Sequence, residues 1–167
     1  MSNLSKLYRK MQNRSQKWRE TNDCTVKALA IAAGKTYEQA HGALALRGRN
    51  YRKGTAMFNV FNALRDFGFT EKEVYRHSAI EKAENPYYWD CEKTQEIAKK
   101  MRRTRWAKGR TMKSIEPHLP KRGVYIIQTS SHVLCVRAGQ IHDWTSQRRH
   151  RITHVHHITR AGVNRKE

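Results

Sequence analysis

Residues 20–34 read ETNDCTVKALAIAAG. Val26, Ala28, Leu29, Ala30, Ile31, Ala32 and Ala33 make this run almost continuously apolar, and a helix apolar on nearly all sides belongs inside a domain. Asn22 or Asp23 supplies an N-terminal cap and Gly34 a stop, so the run predicts a buried central helix. Cys24 then stands at the mouth of that helix. A thiolate there is stabilised by the helix dipole and by unpaired backbone N–H groups, so the position favours ionisation.

Working outward, residues 3–19 set Leu4, Leu7, Tyr8, Met11 and Trp18 at helical spacing among basic side chains. They predict a basic amphipathic helix or arm, residues 1–19, packed on the body. Thr36 and Gln39 form a capping box for a helix over YEQAHGALALRG. Another helix follows Gly54 and Thr55, with Met57, Val60, Phe61, Leu64 and Phe67 at three- and four-residue steps and Gly68 as its end. A shorter helix is expected after Thr70, an ordered loop over ENPYYWDCE and a basic helix over residues 94–103.

Beyond SIEPHLPKRG the texture changes. VYIIQT (124–129), HVLCVR (132–137) and QIHDW (140–144) are β-rich, the last two joined by a tight turn at Ala138 and Gly139. RITHVHHIT (151–159) supplies a further strand. Helices first and an antiparallel sheet last predict a single α+β domain over residues 1–167, with a helical part at 20–115 and the sheet at 123–159.

Register gives the hairpin its chemistry. With a two-residue turn, Arg137 faces Gln140 and His132 faces Thr145, which makes Asp143 the diagonal neighbour of His132 on the same face. A carboxylate within reach of an imidazole orients it as a base. If the central helix packs on the sheet, Cys24, His132 and Asp143 become nucleophile, base and orienter. Cys135, in alternation away from His132, reads as core packing, and Cys91 has no evident partner. Asp23 reads as a second cap, with modulation of the thiol's pKa as the alternative.

NDCTVKALA, followed about a hundred residues later by SSHVLCVRAGQIHDW, resembles the papain-like cysteine peptidases, most of all their small double-glycine-type and deubiquitinase-like members and related phage proteins. In that family the nucleophilic cysteine opens the central helix, the histidine begins a sheet strand and an Asn or Asp ends the next. The resemblance therefore implies a papain-like fold, a catalytic triad of Cys24, His132 and Asp143, and a shielding role for Trp144 directly after the acid. It further implies a protein or peptide substrate, no cofactor, and a phage-encoded protein acting in the host cytoplasm or carried in the virion. The sequence departs from the family where an oxyanion-hole Gln is expected five or six residues before the cysteine, since Arg19 and Trp18 stand there. Asn22 and Gln16 are the amides left to supply that donor.

The strongest compositional feature is charge: 34 Lys and Arg against 14 Asp and Glu, a net +20. Such an excess favours polyanionic partners, nucleic acid or an acidic protein. The densest run, residues 99–113, holds Lys99, Lys100, Arg102, Arg103, Arg105, Lys108, Arg110 and Lys113 with no acid, and Trp106 lies inside it. These residues are the nucleic-acid-binding candidates of a rival reading, a basic virion-associated or nucleic-acid-binding protein that keeps the fold without catalysis. His150, His154, His156 and His157 lack a neighbouring carboxylate or cysteine at a ligand spacing, so no metal site is read from them; they are expected as exposed histidines on a basic strand. Three cysteines without paired spacing, and an opening MSNLSKLYRK with no apolar segment, fit a reducing cytosol. No stretch approaches the roughly 20 apolar residues of a membrane span, so no membrane insertion is expected.

Overall fold

A computed structural model of the chain describes residues 4–77, 105–108 and 111–162. Four helices open the fold: α1 (Lys6–Lys17), α2 (Cys24–Ala33), α3 (Tyr37–Leu46) and α4 (Met57–Asp66). Strand β1 (Phe69–Arg76) follows, then the short helices α5 (Arg105–Lys108) and α6 (Met112–Ile115) and a 3-10 turn (Glu116–His118). Strands β2 (Val124–Thr129), β3 (Val133–Arg137), β4 (Gln140–His142) and β5 (Ile152–Arg160) complete it. The result is an α+β fold whose five-stranded sheet is antiparallel throughout, in the order β1-β5-β2-β3-β4.

Local signals account for most of the helices. The α3 capping box is made in full: Gln39 N–H donates to Thr36 Oγ1 at 3.1 Å, and Thr36 N–H donates to Gln39 Oε1 at 3.0 Å. Helix α2 ends at Gly34, whose φ of 64° is the left-handed geometry that suits glycine. Arg137 on β3 donates from Nη1 to the Ile31 carbonyl at 2.9 Å, so a cation from the sheet satisfies the negative end of α2.

The sheet separates two apolar layers. On one face α2 is buried along nearly its whole length and packs with Val133 and Cys135 of β3, Ile126 of β2 and Ile158 of β5. On the other, Ile127, Leu134, Val136, Ile141 and Val155 meet Trp106, Met112 and Ile115. Alternation along β2 and β3 sends neighbouring residues to opposite layers, which is why both strands read as continuous apolar runs. Among the described residues no helix is long and apolar enough to cross a membrane.

The segment after Thr70 is an edge strand rather than a short helix. FTEKEVYR pairs with β5 from Phe69↔Arg160 to Arg76↔His154, with a bulge between Glu73 and Tyr75. Its charges, poor in β-propensity, are what a sheet edge tolerates, and backbone pairing with β5 overrides the local preference. The sheet therefore draws one strand from the helical part. The expected loop over ENPYYWDCE, the basic helix over 94–103, and Cys91 lie outside the described residues. None of the four histidines is fully exposed: His150, His154 and His157 are half-buried, and His156 is buried against Phe61, ring centroids 4.5 Å apart, because it faces the α4 side of the sheet. Burial lowers its pKa to about 4 and keeps it neutral.

Candidate active site

The hairpin register is the one its turn dictates. Arg137 pairs with Gln140, Val136 with Ile141 and Cys135 with His142, while Ala138 and Gly139 both take positive φ (51° and 77°) as a type I′ turn requires. Continued one step past β4, that register sets Asp143 on the face of His132. His132 Nε2 and Asp143 Oδ2 are 2.8 Å apart. Asp143 is itself buried and fixed, accepting from Thr145 N–H at 3.1 Å and from the Thr145 hydroxyl at 2.6 Å on the same oxygen.

Packing of α2 on β3 brings Cys24, the first residue of α2, against His132 at the start of β3. With Nε2 committed to Asp143, Nδ1 is the ring nitrogen left for the thiol. Burial pushes the Cys24 thiol up, but a hydrogen bond and charge from His132, with backbone N–H groups of Val133 and Thr25, bring it below its ordinary value. The ring moves the opposite way: burial pulls it down, and Asp143 and Cys24 together raise it to about 9. A thiol lowered and an imidazole raised by one another favour a thiolate–imidazolium pair over the neutral one.

The pair opens on a cleft of about 220 Å³ lined by Tyr8, Asn22, Asp23, Cys24, Lys27, Ser131, His132, Asp143 and Trp144. Trp144 sets its ring 5.1 Å from that of His132 while remaining 40 % exposed, so it covers one side of the histidine and faces solvent with the other. Asn22 sits at the cleft mouth with φ 51° and donates from Nδ2 to the Arg52 carbonyl at 3.2 Å. An amide has two N–H donors, and one remains for a ligand. Gln16 lies exposed on α1 and does not line the cleft, because the helical turn there faces outward. Asp23 occupies the N-cap position of α2 but makes no cap bond. Its carboxylate accepts from the Tyr37 hydroxyl at 2.7 Å and pairs with Lys27 at 3.1 Å. Burial pushes that carboxyl up, and bonds from Ser15, Tyr37 and Lys27 bring it below its usual range. The first N–H groups of α2 are thus left without a side-chain cap beside the thiol.

Lys27 is a cleft residue that sequence reasoning did not single out, and Tyr8, read there only as part of the arm's helical face, also lines the cleft. Lys27 follows Cys24 by one helical turn, a spacing that places both on one face and was the available signal. Its Nζ lies 2.6 Å from Gln12 Oε1 and 5.7 Å from the centre of the Tyr8 ring. Tyr8 arrives from the N-terminal arm, which Ser5 fastens to the sheet: Ser5 Oγ caps α1 at Tyr8 N–H (3.1 Å) and meets His142 Nδ1 at 2.8 Å, one residue before Asp143.

The other sequence-predicted candidates lie elsewhere. Trp106 is buried in the second apolar layer against Tyr125, ring centroids 5.2 Å apart, so its ring is not offered to a base; an indole at an amphipathic turn is worth more as core. Arg105 is exposed and donates to the His118 carbonyl at 3.5 Å. Lys108 closes α5. Lys99, Lys100, Arg102, Arg103 and Arg110 fall outside the described residues. Among the described residues no group of three His, Cys, Asp or Glu side chains is placed to hold a metal ion.

Comparison with protein-family models, with curated proteins and with solved structures finds no match to this chain.

Proposed function

We propose that the protein is a papain-like cysteine hydrolase acting on an amide or peptide bond. The single observation that carries this reading is the relay Cys24–His132–Asp143, with the acid 2.8 Å from the ring and the thiol lowered against it. The chain order Cys, His, Asp, a nucleophile opening a buried helix and an aromatic residue after the acid support the same family.

In this mechanism the Cys24 thiolate attacks the carbonyl carbon, forming a C–S bond while the carbonyl electron pair moves to oxygen. The uncapped N–H groups at the start of α2, with the free N–H of Asn22, face the oxyanion. Collapse expels the amine, which takes its proton from the His132 imidazolium and leaves a thioester. Neutral His132 then removes a proton from water, hydroxide adds to the thioester, and the carboxylic acid departs as Cys24 is released. Asp143 holds the ring in the tautomer both halves require.

Iodoacetamide labelling of Cys24 at pH 6, followed by mass spectrometry of the intact protein, tests the pair. Fast labelling in the wild type and labelling slowed at least tenfold in His132→Ala is the expected result. Equal slow rates in both would sink the reading. A peptidyl fluoromethylketone should add one equivalent to the wild type and none to Cys24→Ala.

A further inference from the structure

The loop that follows Trp144 is held by backbone hydrogen bonds while its charged side chains are exposed. Lys113 N–H donates to the Arg148 carbonyl at 2.8 Å, Met112 N–H to the His150 carbonyl at 2.9 Å, and Arg148 N–H to the Thr145 carbonyl at 2.9 Å. Glu116 accepts from the Ser146 hydroxyl at 2.9 Å and from the Gln147 amide. The side chains of Lys113, Arg148, Arg149 and Arg151 remain exposed on this frame.

Among the described residues no carboxylate pairs with them. Residues 105–162 contribute two described carboxylates: Glu116 is taken by Ser146 and Gln147, and Asp143 by His132 and Thr145. On the helical side, by contrast, Glu20, Asp23, Glu38, Asp66, Glu71 and Glu73 each engage a Lys, Arg or His. The loop also adjoins flat rings, since His150 meets Trp144 edge-on at 5.2 Å and Trp144 is 40 % exposed. The 3-10 turn that anchors the loop continues into a groove of about 790 Å³ whose lining includes Arg105, His118, Lys121 and Arg122.

We propose that residues 147–151, with Lys113, bind the sugar–phosphate backbone of a single-stranded nucleic acid along the rim of the cleft, with the exposed indole of Trp144 as its stacking surface. Guanidinium groups suit phosphate oxygens, and an exposed indole beside them suits a base, a flat ring that every nucleotide carries beside its phosphate and an acidic side chain does not. The site borders the cleft through Trp144 but makes no use of the thiol, so Cys24→Ala retains it.

Fluorescence anisotropy of a labelled 20-mer oligo-dT against the full chain tests it, with salt varied. Replacing Arg148, Arg149 and Arg151 by alanine leaves the backbone bonds in place and removes three charges; replacing Lys6, Arg9 and Lys10, exposed on α1, removes three charges elsewhere. The expected result is at least tenfold weaker binding for the loop variant, with its log–log salt slope shallower by about 2, and less than threefold weakening for the α1 variant. Equal loss in the two would show bulk charge alone and overturn the proposal. So would polyglutamate displacing the oligonucleotide at equal charge concentration, which would assign the face to an acidic protein. Loss of binding in Cys24→Ala would overturn the independence of the two sites.

Discussion

At the scale of single residues, the decisive quantity is where Cys24 and His132 exchange a proton. Because His132 is raised from its ordinary 6.5 to about 9, its protonated form contributes to stability fully below 6.5 and loses that contribution as pH rises to about 9. Cys24 is lowered, so its thiolate contributes above the ordinary thiol range and loses that contribution as pH falls through the lowered value. The ion pair occupies the window between the two. Hydrolysis should therefore follow a bell whose upper limb lies near pH 9, read as kcat/KM against pH once a substrate is in hand. Asp143→Asn removes the charge that raises the ring, so the thiol rises in turn. Its iodoacetamide rate at pH 6 should fall between those of the wild type and His132→Ala, about threefold below wild type, each tenfold being about 1.4 kcal/mol.

At the scale of elements, the two halves of the site are coupled through the ends of α2. Its N-terminus carries Cys24, and its C-terminal carbonyl at Ile31 is bonded by Arg137 of β3, the strand that begins beside His132. Arg137→Ala should cost about 1–2 kcal/mol through the lost charged bond and dipole contact, visible as a lower urea midpoint with unchanged slope. Ser5 does the same for the arm. Ser5→Ala removes the α1 cap and the bond to His142, an expected loss of about 1–2 kcal/mol in urea melts, and faster proteolysis of α1 should accompany it. Elements with their own signals were readable beforehand: the Thr36–Gln39 box and Gly34 mark helix ends locally, and Ala138–Gly139 fixes a register that a one-residue change in loop length would invert. Strand β1 was not, because its partner β5 lies some eighty residues on and FTEKEVYR carries no period of its own.

For the whole molecule, the tie between helices is the Glu20 carboxylate. It is fully buried, bonded to His41 at 2.7 Å, to Arg49 at 3.2 Å and to Arg52 N–H at 2.6 Å, and so joins the entry of α2 to α3 and the following loop. Burial pushes this carboxyl up, and the bonds from Arg49, His41 and the backbone N–H groups bring it below its ordinary 4.5. A lowered carboxylate stabilises above its ordinary value and loses that contribution as pH falls through the lowered one. Glu20→Gln strands the Arg49 guanidinium, whose side chain is 1 % exposed, and should cost about 3–5 kcal/mol at pH 7. Denaturation at pH 7 and pH 3 checks both points, since the gap between wild type and variant should narrow in acid.

The sequence by itself determined the buried helix at residues 24–33, its cysteine mouth, the capped helices beside it and the hairpin that pairs an imidazole with a carboxylate. Each is written within a few residues of where it acts, in caps, turn residues and alternation. Only the tertiary structure decided that Tyr8 and Lys27 enter the cleft, that Gln16 stays outside it, that Trp106 is core, and that β1 joins the sheet. Those outcomes depend on which surfaces meet after folding. Side-chain direction and burial are set by neighbours far along the chain, and no local pattern encodes them.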